Sequence, residues 1–108
     1  MLFRSLTQTK LELSALERRA VAEVRLAERE YRRSREALEQ IEKSILPRAQ
    51  EMVRRKTEQL SAGTINADDY QDHLDNAAEV MQSHRDALIR HRRAMLDLNT
   101  AVGLRLLP

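Results

Sequence analysis

Apolar residues recur along the first part of this chain at alternating intervals of three and four. Val24, Ala27, Tyr31, Ser34, Leu38, Ile41 and Ile45 follow that rhythm, the a/d seam of coiled-coil packing. Leu6, Leu13 and Ala20 carry one of its two rows toward the N-terminus, while the other row meets Lys10 and Glu17 and weakens. Ala49, Met52 and Leu60 extend an apolar face beyond it. A second series runs through Tyr70, Leu74, Ala77, Met81, His84, Leu88, His91, Met95, Leu98 and Val102, and keeps the alternation without a miss. The spacing predicts a helix over about 7–61 and another over about 67–102, with an apolar tail over 103–108. Pro47 falls inside the first helix. A proline there removes a hydrogen bond and crowds the preceding turn. The expectation is one continuous, kinked helix near Lys43–Pro47, because Ile45, Ala49 and Met52 carry the face through without a phase break.

Residues 62–66 join the two series as a tight reversal. Gly63 stands just past the first helix, where the left-handed conformation is cheap only for glycine. Asn66 suits the N-cap of the second helix, and Asp69, three residues on, stands where a capping-box partner would. Ile65 and Tyr70 occupy the two positions of a hydrophobic staple. Gly103 is expected to end the second helix. The fold class is therefore all-α: an antiparallel helical hairpin with coiled-coil packing. The helices would run ~80 Å and ~54 Å at 1.5 Å per residue. Paired back from the tip, Val102 reaches Leu26 or Ala27, so about the first 25 residues lack an intramolecular partner. A two-helix seam also buries little surface for a chain of 108 residues. A homo-oligomer, or a helical partner, is expected.

Composition agrees with long helices: 33% charged, 3% aromatic, two Gly and two Pro. Without cysteine there is no disulfide framework or Cys metal site. The net charge of +2 hides an asymmetry, with 14 Lys+Arg and 10 Asp+Glu through Gly63, then 5 and 7 after it. Acids and bases interleave as i,i+4 pairs, including Glu28/Arg32, Glu39/Lys43, Glu51/Arg55 and Asp86/Arg90, each contributing about 0.2–0.5 kcal/mol. Asp68, Asp69, Asp72, Asp75 and Glu79 crowd the start of the second helix, and Arg54, Arg55 and Lys56 the end of the first, so opposite charges are expected to meet near the tip. The basic clusters are largely neutralised by neighbouring acids, so nucleic acid is not an expected partner.

Several runs resemble the TolC-type outer-membrane efflux factors. They are Ala22-Glu-Val-Arg-Leu-Ala, Tyr31, Ile45-Leu-Pro-Arg-Ala, Leu60-Ser-Ala-Gly-Thr-Ile, Tyr70-Gln-Asp-His-Leu-Asp and Asn99-Thr-Ala-Val-Gly. The likeness is greatest to the branch serving heavy-metal efflux and covers the second long helix pair of such a protein. The resemblance implies a trimeric helical barrel in the periplasm whose hairpin tips meet a periplasmic adaptor protein. Carried over by position, Ser61, Ala62, Gly63, Thr64 and Ile65 form the adaptor-facing tip. Asp68, Asp69 and Asp72 would lie toward the aperture of the tunnel. No alternating strand segment is visible, so any membrane attachment would belong to β-strand regions missing here. Localisation by resemblance is the periplasm and outer membrane. With no signal peptide visible, a complete chain of this sequence would be cytoplasmic.

The seam residues expected to carry assembly are Val24, Tyr31, Leu38, Ile41, Ile45, Leu74, Met81, Leu88, Met95 and Leu98. His84 and His91 are its least expected members. Seven residues put them about 10.5 Å apart, too far to share a metal ion. Met81 and Met95 lie one turn from them, which makes the pair weak copper candidates, with bonding to Ser34, Ser44 or water as the alternative. His73 falls off the seam and is expected in solvent. Phosphate loop, zinc-protease motif and nucleophile elbow are all absent from the sequence, so neither an enzyme nor a cofactor is expected.

Overall fold

The computed structural model describes residues 2–106, with the backbone alone for Leu2, Arg105 and Leu106. Leu107 and Pro108 of the expected tail lie outside the described residues. Among the described residues every regular element is helical: α1 (Leu2–Gln40), a π-helical turn (Ile41–Ile45), α2 (Leu46–Ser61) and α3 (Ala67–Leu106). Helix α1 therefore begins earlier than position 7, and α3 runs past Val102. Gly103 does not end α3. A glycine stops a helix where the chain turns left-handed, and among the described residues only Gly63 has a positive φ.

Continuity across Pro47 holds, but by a device the spacing did not reveal. The Leu46 N–H donates to the carbonyl of Ile41, five residues back. Each residue of such a turn is wound wider than in an α-helix, and the turn inserts one extra residue. Pro47 sits in the first turn of α2, beside backbone that has already left the α pattern, so its missing N–H is tolerated. The inserted residue also breaks the phase. Beyond it the inward positions are Ala49, Val53, Lys56 and Leu60. Ile45, expected on the seam, and Met52, expected on the apolar face beyond it, are 39% and 40% exposed.

The chain packs as two compact units, Ser34–Arg92 and Met1–Arg33 with Arg93–Pro108. The first is an antiparallel helical hairpin. Its core is Leu38 and Ala87, with Ser34 buried among them. On α3 one inward row is Tyr70, Ala77, His84 and His91, as the spacing predicts. The other is His73, Val80 and Ala87, one residue earlier than Leu74, Met81 and Leu88. Leu74 keeps a half-buried flank. Met81 is 53% exposed and Leu88 is also exposed. The small Ala87 takes the inward place, and the larger Met81 and Leu88 lie outside it.

The second unit repeats that logic. Val24 and Ala94 are buried, with Ala20, Val21, Ala27, Tyr31, Leu98 and Ala101 half-buried. Met95, expected on the seam, is exposed, and Ala94 takes the inward place. Residues 3–19 of α1 are exposed throughout, and Phe3 is the barest of the large apolar residues among them. The bare stretch is shorter than about 25 residues because α3 extends four residues beyond Val102.

Candidate functional site

The hairpin tip is closed by local chemistry on both sides. At the end of α2, the Thr64 N–H donates to the Gln59 carbonyl at 2.9 Å and the Gly63 N–H to the Leu60 carbonyl at 3.1 Å. These are the two bonds of a Schellman motif, with Gly63 at φ +74° in its left-handed position. Thr64 Oγ1 adds a bond to the same Gln59 carbonyl at 3.1 Å. On the other side, Asn66 Oδ1 accepts from the Asp69 N–H at 2.8 Å, and the Asn66 carbonyl accepts from the Tyr70 N–H at 3.1 Å. Asn66 is thus the N-cap of α3. The described bonds include no return bond from Asp69 to the Asn66 N–H. The aspartate is a methylene shorter than the glutamate that usually closes a capping box. Asp69 instead lies with Asp68 in the first turn, where negative charge meets the positive end of the helix dipole. Ile65 and Tyr70 are both half-buried. Ser61, Ala62, Gly63 and Thr64 are exposed, so small residues form the surface of a tip whose backbone is already fixed.

One turn back from the tip, a polar clip joins the arms. Thr57 Oγ1 lies 3.0 Å from the Tyr70 hydroxyl and donates its one proton to the Val53 carbonyl at 2.7 Å. Tyr70 is therefore the donor to Thr57. Sequence reading placed Tyr70 in the staple and missed Thr57, because a hydroxyl partner leaves no periodic signal.

The charges near the tip do not meet as expected. Arg54 grips Glu51 with two bonds, Nε–Oε2 at 3.0 Å and Nη2–Oε1 at 2.6 Å, and reaches Glu58 Oε1 at 2.7 Å. The hydrogen bond to Arg54 holds the Glu51 carboxyl below its ordinary value of 4.5, and the same contacts raise Arg54. Arg55 approaches Glu51 at 3.8 Å. The described ion pairs run within a helix, and none reaches Asp68, Asp69, Asp72, Asp75 or Glu79. An i,i+3 or i,i+4 neighbour on the same helix is closer at hand than a charge on the facing arm. Of the spaced pairs read from the sequence, Glu51/Arg55 and Glu39/Lys43 form, the latter at 3.9 Å, while Asp86 accepts instead from Gln82 Nε2 at 3.0 Å.

The histidines divide by environment. His91 Nδ1 lies 3.1 Å from Ser34 Oγ across the hairpin, the polar pairing weighed against metal binding. His84 Nε2 and His73 Nδ1 are buried without a hydrogen-bond partner. His73 is half-buried on the inward row rather than solvated. Its row was missed because the spacing fits Leu74 as well, and a large apolar residue outranks a histidine in any reading by hydrophobicity. Among the described residues no three His, Cys, Asp or Glu side chains come together as metal ligands. No helix among them is long and apolar enough to cross a membrane.

Beside His73 the two arms leave an open groove. One hollow of about 270 Å³ is floored by Ile45, Ala49, Met52, Ala77 and Val80, with Arg48 at its rim. A second, of about 240 Å³, lies among Met52, Arg55, Lys56 and Gln59, and His73 lines both. Comparison with protein-family models, curated proteins and solved structures returned no match for this chain.

Proposed function

We propose that this chain is the periplasmic helical-hairpin part of a TolC-like outer-membrane efflux component and docks an adaptor protein through its tip. The observation that carries the reading is the form of the tip. A Schellman closure and an Asn66 cap fix the backbone, while Ser61, Ala62, Gly63 and Thr64 stand exposed. A partner meeting this surface orders little on binding, so small contacts suffice. The resemblance of Leu60-Ser-Ala-Gly-Thr-Ile to the family's tip supports the same assignment. Gly63→Leu tests it: adaptor binding should be abolished with helix content largely intact. Unchanged binding would sink the tip role.

A second reading is a free-standing coiled-coil protein that self-associates. The exposed Met81, Leu88 and Met95, seven residues apart, and the bare α1 segment over residues 3–19 favour it. An immunoblot of fractionated source cells separates the two. A much larger species in the outer membrane supports the efflux component, and a soluble species near 12.6 kDa supports the free module.

A further inference from the structure

We infer that the groove between α2 and α3 is a docking site for an acidic amphipathic helix of a partner protein. Its floor is apolar, formed by Ile45, Ala49, Met52, Ala77 and Val80. Its charged lining is entirely cationic: Arg48 at one end, Arg55 and Lys56 at the other, with no carboxylate lining either hollow. Arg55 is partly neutralised by Glu51 at 3.8 Å. Arg48 and Lys56 take part in none of the described ion pairs or side-chain hydrogen bonds. Lys56 is nevertheless half-buried. The Lys56 ammonium keeps access to water, and an incoming carboxylate would supply the counter-charge that the described ion pairs do not.

The shape selects a helix over a small anion. The lining runs from Ile45 to Gln59, ~20 Å along the first arm at 1.5 Å per residue. Arg48 and Arg55 stand seven residues apart, the repeat at which a packed helix presents one face. A single small carboxylate would engage one end only. A helix with apolar residues at a and d seats them on Met52 and the alanines. Its flanking acids, one heptad apart, then reach Arg48 at one end and Arg55 with Lys56 at the other.

The probe is a synthetic amphipathic peptide of about three heptads, with Leu at a and d and Glu at the flanking positions. A twin carries Lys in place of each Glu. Fluorescence anisotropy with the full chain should show the Glu peptide binding, the Lys twin not binding, and affinity falling as salt is raised. Arg48→Glu should weaken binding about tenfold or more. That position is exposed, so the fold is not at risk, and Lys56→Gln gives a milder loss at the other end. Equal binding of both peptides, or an undiminished affinity in Arg48→Glu, overturns the proposal. So does an oligomer of the chain itself that Arg48→Glu dissociates, because the groove would then belong to a second copy. The groove does not rest on the tip assignment: Gly63→Leu should leave peptide binding unchanged even where it abolishes adaptor docking.

Discussion

Alanine at Gly63 and alanine at Gly103 are one chemical change with opposite expected signs. At Gly63 the added Cβ meets nothing within 4 Å, so no clash contributes. The cost is conformational, since φ is +74°, and an L-residue held there loses about 1–2 kcal/mol. The unfolded chain becomes less flexible with alanine, which returns about 0.4–1 kcal/mol. The net expectation is a destabilisation of about 0.5–1 kcal/mol by that balance. At Gly103 the space is again open, but the residue lies inside α3 with no positive φ. Alanine there gains up to about 0.8–1.0 kcal/mol of helix propensity, less near a fraying end. Urea unfolding of both variants, followed by far-ultraviolet circular dichroism at one protein concentration, reads the difference. With a slope of about 1–3 kcal/mol per molar urea, the midpoints should separate by several tenths molar, Gly63→Ala below the parent and Gly103→Ala above it. If the Gly63→Ala midpoint fails to fall, the Schellman account of the tip is wrong; if the Gly103→Ala midpoint falls, the helical placement of that glycine is wrong.

Other expectations follow from the same geometry. Asn66→Ala should cost about 1 kcal/mol by losing the bond to the Asp69 N–H, and Asn66→Asp should restore most of it in the same unfolding assay. Tyr70→Phe leaves the ring and removes the clip to Thr57, so a loss of about 0.5–1.5 kcal/mol is expected, and a double-mutant cycle with Thr57→Val should show the two changes coupled. Ala87→Leu should destabilise by about 1–3 kcal/mol because its side chain faces the other arm, while Met81→Gln on the exposed shoulder should stay within about 0.5 kcal/mol. Glu51 is held below 4.5 by Arg54, so its contribution is present above its unfolded value and is lost as pH falls through the lower folded value. Thermal melts across the acid range should therefore fall below about pH 4.5 with a shallower slope in Glu51→Gln.

The tip was legible in the sequence because caps and left-handed glycines are short-range chemistry. Gly63 and Asn66 carry their signals within five residues of the bonds they make. One row of α3 was legible as well, since Tyr70, Ala77, His84 and His91 repeat every seven residues. The adjacent row was not. Reading by hydrophobicity favours Met81, Leu88 and Met95, whereas the structure buries the small Ala87 and Ala94 and leaves those larger residues exposed. The π turn was hidden for a related reason. Ile41, Ile45 and Ala49 look like an unbroken apolar face, and spacings of four fit an α-helix and an inserted residue equally well. Lys56 on an inward row and the orphaned His73 were invisible because burial of a polar group is decided by the facing arm. The groove they border depends on that facing arm too.

The π turn has a consequence for how such a hairpin tolerates insertions and deletions. Between the Ser34–His91 and Thr57–Tyr70 contacts the first arm spends 23 residues (34–57) and the second 21 (70–91). The arms are unequal ladders, and the π turn takes up one surplus rung. A one-residue deletion within Ile41–Ile45 would heal the backbone into regular α-helix. It would also turn everything between it and the tip by about 100°, one residue's share of a helical turn. Ala49, Val53, Lys56 and Leu60 would leave the inward face together. Length variation is thus tolerable at this turn only when the facing arm changes with it, so the two arms are bound to lose or gain residues as a pair.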